Sequence, residues 1–161
     1  MKLDAQWITG FVDGEGCFHV GINAHAEMTA GFQVLPEFTV VQHERDVQVL
    51  HALKAHFGCG VVRVNHGDRM AYRVRSVKHL LEHIVPFFVK HPLKTKKNVD
   101  FLKFRDVLLL MEAGNHLTVE GIERIRSTFR TPTGKTYGPD FIDRGLEIGR
   151  RLYAQYMTKI R

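Results

Sequence analysis

The alternation of apolar and polar positions divides the chain into a short leading helix, two hairpins and a run of later helices. Asp4 stands where a helix N-cap belongs, and Trp7, Ile8, Phe11 and Val12 follow at helical spacing. Gly10 and Gly14 lie four apart on that helix. Glycine weakens a helix, so the pair argues for close approach of another backbone. The helix breaks at Gly14-Glu15-Gly16, and the period drops to two. Phe18, Val20 and Ile22 then point inward, with Cys17, His19, Gly21 and Asn23 outward. Residues 25–31 read as a turn. A second strand runs from Phe32 to Gln42, with Phe38 and Val40 on one face and Glu37, Thr39 and Val41 on the other. Pro36 marks a bulge or an edge position in it.

The same reading continues along the chain. Val47, Leu50, Leu53 and Phe57 make an amphipathic helix from His43, stopped by Gly58. Gly60 to Asn65 and Met70 to Ser76 form a second hairpin through residues 66–69. Ser76 caps a helix with Val77, Leu80, Leu81 and Ile84 on its core stripe, and Pro86 and Pro92 bracket an irregular segment. The order αββαββα implies an α+β fold, a four-stranded antiparallel sheet with helices on one face. Thr95 caps a long helix to about Ala113, whose apolar positions are Phe101, Phe104, Val107, Leu108 and Met111. Leu117 to Gly121 opens another helix, Thr131 to Gly138 is a loop, and Asp140 caps a last helix. We expect a core over residues 1–115 and a C-terminal helical extension over 116–161, packed on the same domain.

Composition narrows the field modestly. The 161 residues carry a formal net charge of +6, which favours a polyanionic partner. A run of 18 apolar residues and a secretory leader are both missing from the sequence, so it reads as soluble and intracellular, in an unspecified host compartment. The two cysteines, Cys17 and Cys59, read as buried thiols in a reducing interior. Ten histidines invite a zinc reading, but His79 and His83 at i, i+4 supply only two ligands. Nucleotide-binding glycine motifs and the G-x-S-x-G hydrolase motif are missing too.

Asp13 and Glu15 fall at a helix C-terminus, where the dipole already disfavours negative charge. A divalent cation reverses that penalty, and oxygen ligands suit Mg²⁺ or Ca²⁺. The plainer alternative has Asp13 capping a neighbouring turn and Glu15 solvated. The nonamer Ile8-Thr-Gly-Phe-Val-Asp-Gly-Glu-Gly16 resembles the signature of the LAGLIDADG homing endonucleases at all nine positions. Glutamate replaces the aspartate common at the family's metal position, so the ligand reaches one methylene further. The resemblance covers the first ~115 residues with the same element order.

The resemblance implies a site-specific endonuclease that makes double-strand breaks with short 3′ overhangs. Its long target would be pseudo-palindromic, and the gene would lie in an intron or intein-like element. One copy of the nonamer implies a homodimer with Thr9, Gly10, Asp13 and Gly14 at the interface. Glu15 and the Gly14 carbonyl would hold Mg²⁺, and Ca²⁺ is expected to bind without supporting cleavage. Gln42 matches a residue that orders water, or is a plain strand-end glutamine. Lys94 best matches the catalytic lysine, with Lys96 and Lys97 close enough to be confused with it. Those two are otherwise expected on phosphate at a helix N-terminus.

The sheet face away from the helices is expected in the major groove of double-stranded DNA. His19, Asn23, Gln33, Thr39, Arg63, Asn65, Arg73 and Arg75 are its candidate readers, against a merely solvated sheet. Lys90, Arg124, Arg126, Arg130 and Lys135 are weaker phosphate candidates. The rival reading is an RNA maturase, with intron RNA as partner, or a DNA-binding regulator. Either needs the basic sheet but not the carboxylate.

Overall fold

The computed structural model describes residues 1–129, so the loop at Thr131, the Asp140 helix, Arg130 and Lys135 lie outside the described residues. The elements are α1 (Ala5–Glu15), β1 (Gly16–Ala24), β2 (Phe32–His43), α2 (Val47–Phe57), β3 (Val61–His66) and β4 (Arg69–Val74). They are followed by α3 (Val77–His79), α4 (Val85–Lys90), α5 (Lys97–Glu112) and α6 (Val119–Thr128). The sheet has four strands in the order β1-β2-β4-β3, and the β2–β4 and β3–β4 ladders are antiparallel. The expected αββαββα order and α+β class are therefore observed. The described chain divides into two compact units: Met1–His19 with Pro36–Arg105, and Val20–Leu35 with the described residues from Asp106.

In the first unit, the Asp4 side chain accepts from the Trp7 N–H at 2.9 Å and starts α1. Ile8, Thr9 and Val12 form its buried face. Gly16 lets the chain pass directly from helix to strand. A Cβ there would lie 2.5 Å from Val12 Cγ1 and 2.8 Å from the Val12 carbonyl oxygen. The core is an aromatic cluster between sheet and helices. Phe18 of β1 lies 5.1 Å from Phe38 of β2, and 5.3 and 5.5 Å from Phe101 and Phe104 of α5, between ring centroids. Phe38 meets Phe88 of α4 at 5.8 Å. Such pairs add roughly 0.5–1.5 kcal/mol each beyond area burial.

Two expectations are corrected. The segment from Pro86 is helical, not irregular: Leu80–Ile84 forms a π-helical turn, and α4 continues from Val85 with Pro86 in its first turn. The Val85 N–H bonds the Leu80 carbonyl five residues back, and the widened turn takes in a residue that has no N–H to give. Cys17 is exposed, not buried, because it alternates with Phe18 on β1; Cys59 is buried. Pro36 lies ahead of the β2–β4 ladder, whose register begins at Phe38↔Val74, so its missing N–H interrupts no bond to β4.

Gly60 enters β3 with φ +83°, and a Cβ there would lie 2.6 Å from Tyr72 Cε2 and 2.7 Å from the Arg73 carbonyl oxygen. Tyr72 is buried and donates its hydroxyl to the Cys59 carbonyl at 3.1 Å. Gly60→Ala is thus expected to lose about 2–4 kcal/mol of stability through strain and displacement of Tyr72. Thermal and urea melts check this; an unchanged midpoint would contradict it.

In the second unit, Val20, Ile22, Ala30, Phe32 and Val34 are buried, and the turn closes through His25 N–H to the Gly31 carbonyl at 2.9 Å. Val107, Leu108 and Met111 on α5 and Ile122 and Ile125 on α6 are also buried. Thr118 caps α6 by accepting from the Gly121 N–H at 3.1 Å.

Candidate functional site

The site forms where α1 ends. Its last turn holds no basic residue of its own, so the carbonyl end of the dipole lacks local compensation. Lys97, the first residue of α5, supplies it through space. Its ammonium donates to the Gly16 carbonyl at 2.5 Å and to the Gly14 carbonyl at 3.4 Å, beside the exposed Glu15.

Asp13 fixes the segment that delivers this lysine. Its carboxylate accepts from the Lys94 N–H at 2.6 Å, the Thr95 N–H at 3.3 Å and the Thr95 hydroxyl at 2.7 Å. The Thr95 hydroxyl in turn accepts from the Lys97 N–H at 3.2 Å. Burial works against the charge on Asp13, but the Lys94 N–H, the Thr95 hydroxyl and N–H, and the Lys97 ammonium outweigh it. The carboxyl sits below its usual range.

Three lysines fit the sequence near this turn, and the structure gives them different places. Lys94 meets Asp13 through its backbone, and its side chain is exposed, as is that of Lys96; Lys97 is half-buried with its ammonium on the motif. The distinguishing signal was present in the sequence. Lys97, Phe101, Phe104 and Leu108 fall at i, i+4, i+7 and i+11, so Lys97 begins the inward stripe of α5. Gln42 sits near the end of β2, opposite Met70, half-buried on the side of Phe38 and Val40.

On α1, Gly10 and Gly14 are exposed, and a Cβ at either would meet nothing within 4 Å. Thr9 is 4% exposed and donates its hydroxyl to the Ala5 carbonyl, and Asp13 is engaged as described. The open face is therefore lined by Trp7, Gly10, Phe11 and Gly14, with Trp7 and Phe11 stacked at 4.7 Å. Of the four apolar positions that the spacing groups on this helix, Ile8 and Val12 are buried, whereas Trp7 is 42% exposed.

Oxygen donors alone are available for a cation: the Glu15 carboxylate and the carbonyls at the end of α1. That donor chemistry fits a hard divalent ion. Among the described residues, no three His, Cys, Asp or Glu side chains gather as a ligand set. The zinc reading of His79 and His83 gains nothing further.

On the first unit, His19, Thr39 and Arg73 alternate with buried strand residues, Arg75 follows the end of β4, and Arg63 and Asn65 lie exposed on β3, none of whose residues is buried. Thr39 donates its hydroxyl to the Tyr72 carbonyl at 3.2 Å, and Asn65 lies at a register irregularity between Val64 and His66. Asn23 and Gln33 are half-buried strand positions of the second unit. Glu37, which the sequence pattern only places on the outer face, binds both Arg73 and Arg75. Of the weaker phosphate candidates, Arg124 bonds Asn115 and Arg126 pairs with Glu123. No described helix is long and apolar enough to cross a membrane.

Comparison with known proteins bears on the same residues. The family model for the LAGLIDADG endonuclease matches residues 8–108. The crystal structure of the homing endonuclease I-TnaI is 49% identical, with each chain fully covered and a TM-score of 0.78. The meganuclease I-SmaMI, solved bound to uncleaveable DNA, is 35% identical over 81% of this chain and 45% of its own, with a TM-score of 0.79. The 50.9 kDa protein in ND4 intron 1 of Podospora anserina is 33% identical over 72% of this chain. The present chain spans only 26% of that relative's length. With its motif, its sheet and the matched region in agreement, the chain belongs to the LAGLIDADG endonuclease family.

Proposed function

We propose that the chain acts as a site-specific DNA endonuclease that pairs with a second copy of itself and hydrolyses one phosphodiester bond per strand. The observation that carries this reading is the Lys97 ammonium seated on the end of α1 that bears Glu15, 2.5 Å from the Gly16 carbonyl. The open strip of Gly10 and Gly14 supports the pairing, since two helices without Cβ atoms at the contact can approach closely. Two paired helix ends would put one Glu15 at each strand. A two-fold pair reads a pseudo-palindromic target.

Glu15 and the Gly14 carbonyl would hold the cation, and Mg²⁺ suits this oxygen-only set. A bound cation supplies charge neutralisation at the cut phosphate. Lys97 adds a fixed positive charge beside the same phosphate, and Asp13 keeps the lysine's segment in place. Gln42 orders the attacking water, and Thr9 and Asp13 support the interface from within their own chain. Lys94 and Lys96, both exposed, are assigned to backbone phosphate. Cleavage across the minor groove would leave short 3′ overhangs, as expected for mobility of an intron-borne gene.

The test is a plasmid carrying the two sequences that flank the gene's host element, joined as if the element were absent. Incubated with the protein and MgCl₂, it is expected to be linearised at the junction. Salt-dependent binding without cutting in Mg²⁺ or Mn²⁺ would favour the regulator or maturase instead. Absence of salt-dependent binding to duplex DNA would remove the reading, because each phosphate contact contributes a slope of about −0.9.

A further inference from the structure

The open face of the sheet carries a single acid. Glu37 is the one Asp or Glu in β1 to β4, and it stands among arginines. The β2–β4 register pairs Phe38 with Val74, which sets Glu37 opposite Arg75. Arg75 Nε donates to Glu37 Oε2 at 2.5 Å, and Arg73 Nε lies 3.6 Å from Glu37 Oε1. Arg73 also donates through Nη2 to Asn65 Oδ1. Its Nε is buried and makes no hydrogen bond, so the Glu37 carboxylate is the charge that answers it. The Glu37 side chain is 17% exposed and that of Arg75 is 67% exposed. The acid is tucked beneath, and a guanidinium projects above it.

We propose that Glu37 determines sequence specificity by holding Arg73 and Arg75 in one pose, so that the N–H groups it leaves free address guanine edges in the major groove. This rests on the endonuclease reading above. Arginine has five N–H donors in a rigid fork, and Arg75 spends only Nε on Glu37. Its two terminal nitrogens stay available for the bidentate pattern that matches guanine O6 and N7. An arginine on a free stem can instead swing to a phosphate or a neighbouring base, and it loses more rotamer entropy on binding. The carboxylate therefore converts two mobile cations into oriented readers. It also subtracts one charge from the face and so lowers affinity for duplexes of any sequence.

The alternative is that Glu37 only relieves repulsion between two neighbouring arginines. Selection from a randomised duplex pool, in EDTA so that binding is read without cleavage, separates the two. The wild-type chain is expected to enrich guanine at positions whose preference Arg73→Ala or Arg75→Ala erases. Glu37→Gln is expected to cut that preference from roughly tenfold or more to under about threefold. On a non-specific duplex its log affinity should fall about 0.9 more steeply per decade of salt. Added to the Arg73→Ala/Arg75→Ala double variant, it should change no base preference, since its effect runs through those side chains. Glu37→Asp keeps the charge but shortens the reach, and is expected to lower the same preferences with an unchanged salt slope. It answers the question should Glu37→Gln fold poorly.

Guanine preferences that survive Glu37→Gln, or Glu37→Asp if only that variant folds, overturn the proposal and leave the endonuclease reading standing. Wild-type selection showing no preference that the arginine variants erase overturns it as well. If the wild-type chain binds no duplex with salt dependence, the endonuclease reading itself falls and takes this inference with it.

Discussion

Glu15→Gln is expected to abolish DNA cleavage, by about a thousandfold or more, while specific binding stays within a few-fold of wild type. The substitution keeps the side chain's length and one oxygen but removes its charge. Glu15 is exposed at the end of α1, so the change leaves no buried cavity and no buried unpaired group. Stability should move by under about 0.5 kcal/mol. What is lost is the anionic ligand at a helix terminus whose own carbonyls make it cation-attracting. Lys97 remains bonded to the Gly14 and Gly16 carbonyls, and the sheet face is untouched, so affinity for DNA persists. Gel-shift binding in Ca²⁺ and a single-turnover cleavage assay in Mg²⁺ give the two readouts. Cleavage by Glu15→Gln at the wild-type rate would remove Glu15 from the metal site.

Much of this arrangement was legible in the sequence because it is written in periodicity. The change from helical spacing at Ile8 and Val12 to alternation at Phe18, Val20 and Ile22 fixes the α1–β1 junction, and the structure buries all five. Turn chemistry was equally plain at Gly58 and Gly67, where φ is positive. The π-helical turn ahead of Pro86 was not legible, because a proline signals a break and only packing decides whether a widened turn absorbs it. Nor were the partners of Asp13 and Glu37 legible. Asp13 bonds residues 81 and 82 positions away, and Glu37 reaches Arg75 over 38. Periodicity ranks faces of one element, whereas these pairs are set by how elements are brought together. The plainer alternative for Asp13, capping a neighbouring turn, is the one the structure realises.

The choice among the three lysines follows from that distant bond, and it gives the second large effect. Lys97→Met is expected to lower the cleavage rate about 100- to 1000-fold, whereas Lys94→Met should lower it less than about tenfold. Methionine preserves most of the stem volume, so the half-buried position stays filled and only the ammonium is lost. Removing it leaves the α1 carbonyl end without the cation that reaches it from α5, at a stability cost of about 1 kcal/mol. Lys94 contributes to this turn through its N–H to Asp13, which methionine retains. We assign its exposed ammonium to phosphate attraction, so its loss should appear as a salt slope shallower by about 0.9 rather than as a slower chemical step. Single-turnover rates at saturating protein separate the two cases, since a binding defect vanishes there and a chemical defect does not. If Lys94→Met is the slower enzyme under saturation, the lysine that serves the chemistry is the one held by its backbone. The contact of Lys97 with the Gly14 and Gly16 carbonyls would then be a helix cap and no more.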